Sequence, residues 1–345
     1  MTQPKRVYIA YTGGTIGMKP SENGFIPQTG YFTEQIKKLP ELSYPEMPEV
    51  VVHEYNTLLD SSNITPEDWF TISADIKANY DAFDGFIVLH GTDTMAYTAS
   101  ALSFMLEDLS KPVIVTGSQI PWSQMRTDAR ENLITSILLA SRYDIPEVGL
   151  YFHNRLYRGN RCSKTDATGF HAFQSPNFPE LVKVGSQIEL NREIMLKEPS
   201  KPLKINKIKP PKVFVFSLFP GFSAEMLIPV IQSGIKGLVL MTYGTGNAPS
   251  NQPKLLKTLK LADEAGIVVV NCTQCLKGGV DMSNYETGQQ LMNAGVISGF
   301  DMTPEATLTK LSYLLSSNCS IEEIKTKMQV SLRGELTETK QVNNR

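Results

Sequence analysis

Cysteine and histidine are scarce in this sequence, and their spacing matches no common disulfide or metal motif. The 345 residues contain four cysteines and four histidines, too few for the disulfide framework of a small secreted domain. No histidine pair has the H-E-x-x-H spacing of a zinc-binding helix. Cys272 and Cys275 form a lone C-x-x-C, which we interpret as the end of a buried strand, with a redox-active pair or half of a zinc site as the alternatives. We therefore predict a cytoplasmic protein without a metal or another cofactor.

Long apolar runs and a surplus of either charge are also missing. No window approaches the ~20 apolar residues of a membrane-spanning helix. Val7–Tyr11 is too short for the apolar core of a secretory signal, which takes roughly 7–15 residues. The 33 basic and 35 acidic residues give a net charge of -2. Overall charge therefore gives no reason to expect nucleic acid or a membrane surface as a partner.

Short apolar segments rich in β-branched residues alternate with helical patterns along the chain. The segments predicted to be buried strands are Val7–Tyr11, Val50–Val52, Phe86–Leu89, Val113–Thr116, Val148–Phe152, Val213–Ser217, Leu238–Thr242 and Ile267–Asn271. Helices are predicted after the N-cap residue Thr65 and at Ala96–Leu109, Asp128–Ser141 and Pro304–Ser316. This alternation indicates an α/β fold with mostly parallel sheets.

Prolines and lysines interrupt the alternation near residue 200. A basic patch for nucleic acid is one interpretation of this segment, but no aromatic residue lies between its lysines, and a solvated linker fits better. We therefore predict two α/β domains, a larger N-terminal catalytic domain at 1–195 and a smaller C-terminal domain at 212–345, joined by a linker at 196–211.

Three predicted strands end in turns that combine glycine with hydroxyl or carboxylate side chains. These turns are Thr12–Gly17, His90–Thr94 and Thr116–Gln119. Each has a structural alternative, a plain glycine turn for the first and a helix N-cap for the second. Because binding sites form at the carboxyl ends of parallel strands, we expect the three turns to line one pocket. A small polar substrate and covalent catalysis by a hydroxyl would suit it.

The same turns resemble the signature segments of the bacterial-type L-asparaginases. The matching segments are Thr12–Ile16, His90–Met95, Thr116–Pro121, Asp60–Ser62 and Tyr243–Asn247. The resemblance covers essentially the whole chain and points to the cytoplasmic type I branch. It implies hydrolysis of L-asparagine to L-aspartate and ammonia through an acyl-enzyme. It also implies a homotetramer, built as a dimer of dimers.

The resemblance assigns catalytic roles to four residues. Thr15 would be the nucleophile that attacks the side-chain amide carbon, and a threonine hydroxyl needs help to lose its proton. Thr92 would orient or activate the attacking oxygen, which is later that of a water. Lys164 would tune Thr92, and Asp93 would pair with the α-ammonium group of the substrate.

The family resemblance also implies a set of substrate-binding residues. Ser61 would hold the α-carboxylate, with Asp60 and Ser62 beside it. Ser118 of the third turn is a further predicted contact. Asn247 would complete the site from the neighbouring subunit. Thr92 and Asp93 belong to this set as well as to the catalytic group.

Two positions depart from the family pattern. The family places a tyrosine on a mobile loop near the nucleophile, and the matching residue here is Phe25, which has no hydroxyl to bond Thr15. Tyr31 is a candidate replacement. At Ser62, periplasmic relatives carry glutamine. The alternatives are therefore a broader glutaminase-asparaginase and, because of Phe25, a non-catalytic amino-acid sensor on the same fold.

Overall fold

The chain divides between Asn206 and Lys207 into two compact units. The computed structural model describes residues 4–22, 24–210, 212–249, 252–283 and 286–338. Lys204–Ile205 lies within the predicted linker but forms a strand that pairs with Leu106–Glu107 of the first unit. The domain limits derived from the sequence stay a prediction.

The first unit contains a large sheet flanked by helices. Its strands are β1 Arg6–Gly13, β2 Met18–Ser21, β3 Gly24–Pro27, β4 Glu49–Leu59, β5 Gly85–Leu89, β6 Leu106–Glu107, β7 Val113–Thr116, β8 Val148–Phe152, β9 Arg155–Arg158, β10 Ser163–Lys164, β11 Phe173–Gln174, β12 Val182–Val184, β13 Ile188–Leu190 and β14 Lys204–Ile205. Its helices are α1 Tyr31–Lys37, α2 Pro66–Asn79, α3 Met95–Met105 and α4 Ala129–Arg142.

The eight strands of the main sheet run in the order β13-β12-β9-β8-β7-β5-β1-β4. The strands from β8 to β4 are mutually parallel, whereas β9, β12 and β13 extend the sheet antiparallel. In chain order the parallel strands read 2-1-3-4-5 across the sheet, the order of flavodoxin-like doubly wound folds. The chain reverses its direction of winding between β1 and β5, so a crevice is expected at their carboxyl ends.

Alternate residues of the central strands enter two separate cores. Tyr8 and Phe86 pack on the face covered by α2 and α3, whereas Val7 and Ile87 pack on the face covered by α1 and α4. Successive side chains of a strand point to opposite faces. A strand covered by helices on both faces therefore reads as one continuous apolar run, and all five residues of β5 are buried.

The start of α2 and the end of α3 can be compared with the positions predicted from the sequence. Helix α2 starts at Pro66, and Thr65 and Asp68 form a capping box, which confirms the predicted start. Helix α3 ends at Met105, so the prediction that it runs to Leu109 was wrong. Leu106–Glu107 instead pairs antiparallel with β14, a contact between distant segments that local helix propensity does not reveal.

The second unit is a smaller sheet with helices on both faces. Its strands are β15 Val213–Ser217, β16 Gly237–Thr242, β17 Val268–Thr273 and β18 Ile297–Ser298. Its described helices are α5 Leu227–Gln232, α6 Pro253–Glu264, α7 Glu286–Asn293, α8 Pro304–Leu315 and α9 Ile321–Met328. All neighbouring strands are parallel. The predicted α/β class with mostly parallel sheets and a larger first unit is therefore confirmed.

None of the helices in the described residues is both long enough and apolar enough to cross a membrane.

Candidate active site

The turn after β1 is tied to the ends of both neighbouring strands. The Thr12 hydroxyl donates to Leu89 O at 2.7 Å, and Gly14 N donates to Leu59 O at 3.1 Å. Gly13 and Gly14 have φ values of 125° and 87°, which other residues rarely adopt. Thr15 follows as the first residue of a short 3-10 helix. Within the described ranges, no group hydrogen-bonds its half-buried hydroxyl.

Glycines allow three turns to touch at the switch point between β1 and β5. A Cβ on Gly14 would lie 2.3 Å from Gly91 N, and a Cβ on Gly91 would lie 2.6 Å from Ser61 Oγ. These distances are far below van der Waals contact, so only glycine permits this approach. The turns that carry Thr15, Ser61 and Thr92 therefore meet in one small region.

Thr92, Asp93 and Lys164 form one hydrogen-bonded group at the end of β5. Lys164 Nζ donates to Thr92 Oγ1 at 2.8 Å and to Asp93 Oδ1 at 2.8 Å. Lys164 lies on β10, far from both partners in sequence. Its side chain is 18% exposed and that of Asp93 is 64% exposed. The group thus presents a hydroxyl from a partly enclosed position and a carboxylate to an approaching ligand.

The helix-capping alternative for this turn does not hold at the N-cap of α3. Thr94 occupies the N-cap position, but its side chain makes no capping hydrogen bond. The Thr94 hydroxyl donates instead to Ser61 O at 2.6 Å. This bond joins the turn after β5 to the segment after β4 and keeps Ser61, which is 4% exposed, beside Gly91.

The other predicted binding residues of the first unit have varied environments. Asp60 Oδ1 accepts from Ser62 N at 3.0 Å, and both residues are exposed next to Ser61. Ser118 is buried, and its hydroxyl donates to Ile120 O at 2.8 Å. A substrate contact from the Ser118 side chain stays a prediction.

Phe25 and Tyr31 lie on the chain that follows the turn of Thr15. Phe25 is in the β2–β3 hairpin opposite Pro20 and is 45% exposed. Tyr31 opens α1, and Lys19 Nζ lies 5.8 Å from the centre of its ring. Neither residue hydrogen-bonds Thr15 in the part of the chain that the structure describes.

Asn247 belongs to the second unit. It lies in the turn after β16, where its backbone N–H donates to Tyr243 O at 2.8 Å. Its Oδ1 accepts from the Thr287 hydroxyl at 2.8 Å. The turn therefore lies at the carboxyl end of a parallel strand, where ligand sites of this fold class form. A contribution of Asn247 to the site stays a prediction.

Gln119 is a site residue that the sequence motifs did not identify. Its Oε1 accepts from the Thr92 hydroxyl at 3.2 Å, and its Nε2 donates to Gly169 O at 3.0 Å. The sequence signal was its place directly after Ser118 in the third turn. Only the folded chain shows that its side chain reaches Thr92.

His90 fixes the same turn from the inside of the protein. It is fully buried, with Nδ1 2.6 Å from Gly91 O and Nε2 2.8 Å from Thr98 Oγ1. Burial lowers the pKa of His90 to about 4, because desolvation disfavours the charged ring. A neutral imidazole therefore supports the backbone that carries Thr92.

The described cysteine, histidine and acidic residues form neither a metal site nor a disulfide. No cluster of three or more His, Cys, Asp or Glu side chains within the described ranges is arranged to hold a metal ion. Cys272 is buried in β17, and burial raises the pKa of its thiol to about 11. Cys275 is exposed, and no disulfide joins the four cysteines, all of which are described. Cys272 thus occupies the buried strand end expected from the sequence.

Known proteins match the chain over both units. Residues 6–196 match the family described as Asparaginase, N-terminal, and residues 212–328 match the Glutaminase/Asparaginase C-terminal domain. The chain is 52% identical to L-asparaginase 1 of Escherichia coli over 340 residues, covering 97% of this chain and 99% of that protein.

Solved structures give the same result. L-asparaginase I from Vibrio cholerae superposes with a TM-score of 0.91 at 52% identity, covering 97% of this chain and all of that chain. The thermostable L-asparaginase from Thermococcus kodakarensis superposes with a TM-score of 0.87 at 34% identity, with 97% of this chain covered. The resemblance seen in the signature turns is thus confirmed, and this chain belongs to the asparaginase family.

Proposed function

We propose that this protein hydrolyses L-asparagine to L-aspartate and ammonia, with Thr15 as the nucleophile. The observation that carries the proposal is the Thr92–Lys164–Asp93 group, which is hydrogen-bonded throughout. Its turn touches the turn of Thr15 through Gly14 and Gly91. The names of the relatives, which are L-asparaginases, support asparagine as the substrate.

The proposed reaction has two steps, formation of an acyl-enzyme and its hydrolysis. In the first, Thr15 Oγ1 attacks the amide carbon of the substrate side chain. A C–O bond forms, the C–N bond breaks, and the departing ammonia carries away the proton that Thr15 loses. In the second step a water attacks the acyl carbon, the bond to Thr15 breaks, and a proton from the water returns to the Thr15 oxygen.

The surrounding residues bind and orient the substrate. Thr92 holds the attacking oxygen, first that of Thr15 and then that of the water. Lys164 donates to Thr92 and keeps Asp93 in place, and the Asp93 carboxylate, which is largely exposed, pairs with the substrate α-ammonium group. Backbone N–H groups at the turn of Thr92 stabilise the oxyanion, since fixed donors cost no reorganisation during the reaction.

The α-carboxylate end of the substrate has its own set of binding residues. Ser61 binds the α-carboxylate, with Asp60 and Ser62 at its side, and Ser118 and Asn247 add contacts.

We propose a homotetramer in which Asn247 reaches the site of a neighbouring subunit. We also propose a cytoplasmic location, which the absence of disulfides among the four cysteines supports.

Ammonia release from asparagine and from glutamine tests the proposal. We would compare the wild type with Thr15→Ala, Thr92→Val and the exposed control Thr57→Ala. Thr15→Ala should lose roughly a thousandfold or more in kcat because the variant lacks the hydroxyl that attacks the amide carbon. Thr57→Ala should match the wild type. Full activity in Thr15→Ala would remove Thr15 as the nucleophile.

The same experiment separates the two alternatives. Asparagine and glutamine differ by one methylene, which a pocket distinguishes by only ~1–3 kcal/mol. Comparable kcat/KM for the two would make the protein a glutaminase-asparaginase. A wild type that binds asparagine in calorimetry without releasing ammonia would instead be an amino-acid sensor.

A further inference from the structure

The backbone of Gln119 is held rigidly at the end of β7. Asp128, the N-cap residue of α4, accepts from Gln119 N and from Ile120 N, each at 3.0 Å. Asn132 Nδ2 donates to the same carboxylate at 3.2 Å and to Gly117 O at 3.0 Å. Charge-assisted bonds of this kind are stronger than neutral ones. The Gln119 side chain therefore starts from a fixed position.

The orientation of the Gln119 amide follows from its neighbours. Nε2 lies 3.0 Å from Gly169 O and 3.3 Å from Ala167 O. Both partners are backbone carbonyls, which only accept, so the NH2 group must face them. A flipped amide would place Oε1 against two carbonyl oxygens. Oε1 therefore points toward the Thr92 hydroxyl, 3.2 Å away.

This orientation fixes the direction of the Thr92 proton. A hydroxyl has one proton to donate and two lone pairs that accept. Lys164 Nζ, which donates at 2.8 Å, occupies one lone pair. Oε1 of Gln119 is an acceptor only, so the Thr92 proton is directed to it. One lone pair of Thr92 then stays available to accept a hydrogen bond from the attacking group.

We propose that Gln119 is a positioning residue for the hydrolysis. By taking the proton of Thr92, it leaves Thr92 as a hydrogen-bond acceptor for the hydroxyl of Thr15 and later for the attacking water. Gln119 acts through Thr92 and does not react with the substrate. The inference rests on the proposed function and adds to it the residue that sets the polarity of Thr92.

Two substitutions separate an acceptor role from a role in holding the loop. Gln119→Met keeps the length of the side chain but removes both the acceptor and the donors. Gln119→Glu keeps an oxygen that faces Thr92 but has no N–H for the carbonyls of Ala167 and Gly169. Gln174→Met, at an exposed position of β11 in the same hairpin as Lys164, is the matched control.

Steady-state kinetics with asparagine measures how each substitution changes kcat and KM. Gln119→Met should lower kcat roughly tenfold or more with KM within about threefold, because the lost bond orients the attacking oxygen. Gln119→Glu should retain a clearly higher kcat than Gln119→Met. If Gln119 only held the loop, Gln119→Glu would be at least as damaging, since its carboxylate would face two carbonyl oxygens.

A double-mutant cycle tests whether Gln119 acts through Thr92. Adding Gln119→Met to Thr92→Val should cause little further loss of kcat, because the hydroxyl that Gln119 orients is already absent. Additive losses would overturn the inference, and so would a Gln119→Met enzyme within twofold of the control. If Gln119→Met does not fold, Gln119→Glu decides alone, and a loss as large as that of Thr92→Val overturns the inference.

The outcome for the wild type separates this inference from the proposed function. A wild type without ammonia release would end both. An active wild type with an inactive Thr15→Ala and an unimpaired Gln119→Met would leave the proposed function in place and overturn the role of Gln119 alone.

Discussion

Buried polar side chains behind the turn after β5 form a chain of hydrogen bonds whose direction is set by chemistry. The Trp69 indole only donates, and it lies 2.9 Å from Thr98 Oγ1. The Thr98 proton is therefore directed to His90 Nε2. His90 then carries its proton on Nδ1 and donates to Gly91 O. One tautomer of one histidine thus fixes the backbone beside Thr92.

The pH dependence of stability should report on His90. Its pKa lies near 4 when folded, against 6.5 for an unperturbed histidine, so the unfolded chain binds this proton at a higher pH. The stability that neutral His90 contributes is present above about pH 6.5 and is lost as the pH falls toward 4. The loss is on the order of 3 kcal/mol, which urea unfolding between pH 7 and pH 4.5 would detect.

Two variants provide the comparison for this prediction. His90→Asn removes the titrating group, so its stability should fall less steeply over the same pH range, although it is lower at pH 7. Thr57→Ala, at an exposed position without a titrating group, should keep the slope of the wild type. If the free energy of unfolding fell equally with pH in the wild type and in His90→Asn, another group would control the loss of stability at acid pH.

At the scale of elements, the contact between two turns depends on Gly14. In Gly14→Ala the new methyl group would lie 2.3 Å from Gly91 N, so the turns after β1 and β5 would have to move apart. The positive φ of 87° adds strain. We expect a loss of about 2 kcal/mol or more in the free energy of unfolding and loss of most of the activity.

Gly30→Ala is the control for backbone strain alone. Gly30 has a similar φ of 78°, but among the described residues no atom beyond its own chain neighbours lies within 4 Å of its added Cβ. This variant should lose only about 1–2 kcal/mol, the cost of the left-handed conformation, and should keep its activity. Equal effects of the two variants in unfolding and in kinetics would show that the contact between the turns is unimportant.

In the second unit, a buried ion pair joins helix α8 to the segment that follows α9. Lys310 on α8 and Glu335 are both fully buried, with Nζ 2.5 Å from Oε1. Lys310 also donates to Val330 O at 2.6 Å, and Glu335 accepts from Leu332 N at 2.9 Å. The pair therefore holds the segment that follows α9 against α8.

Breaking this pair on one side should be costly. Lys310→Met leaves the Glu335 carboxylate buried without its cation, and we expect a loss of about 3–5 kcal/mol in the free energy of unfolding. Adding Glu335→Gln removes the uncompensated charge but keeps an oxygen for Leu332 N, so part of the stability should return. Chemical unfolding of the single and double variants measures this coupling. A double variant no more stable than Lys310→Met would contradict the explanation.

At the scale of the whole molecule, the predicted site residues are distributed over two units. Thr15, Ser61, Thr92, Asp93 and Lys164 belong to the first unit, whereas Asn247 belongs to the second. If the second unit of a neighbouring subunit completes each site, one chain supplies Thr15 to that site and the other chain supplies Asn247. Thr15→Ala and Asn247→Ala would then remove residues that different chains contribute. Each variant is then expected to have low activity by itself.

Co-expression of these two variants tests the shared site. A mixed two-fold dimer would contain one site with both defects and one with neither, so random mixing should restore roughly a quarter of the wild-type activity. Ammonia release from the separate and co-expressed variants measures this. Activity that never exceeds that of the separate variants would mean that each chain builds its own site.

The fold could be predicted from the sequence where apolar segments are continuous. The bounds of β7, β8 and β15 match the predicted segments. Strands β7 and β8 are buried throughout, and a strand buried on both faces needs apolar residues at every position. The antiparallel strands β9, β12 and β13 were not predicted. They lie at one side of the sheet. Strand β9 begins and ends with arginine, and β12 and β13 are only partly buried, so none of the three is a continuous apolar run.

The sequence by itself determined the α/β class, the larger first unit and the family, because strand patterns and signature turns are local features of the chain. Only the tertiary structure decided that Gly14 meets Gly91 and that Lys164 reaches Thr92. It alone brought Gln119 to the same hydroxyl. These contacts join residues far apart in the chain, and their geometry depends on strand order and side-chain direction, which no local pattern encodes.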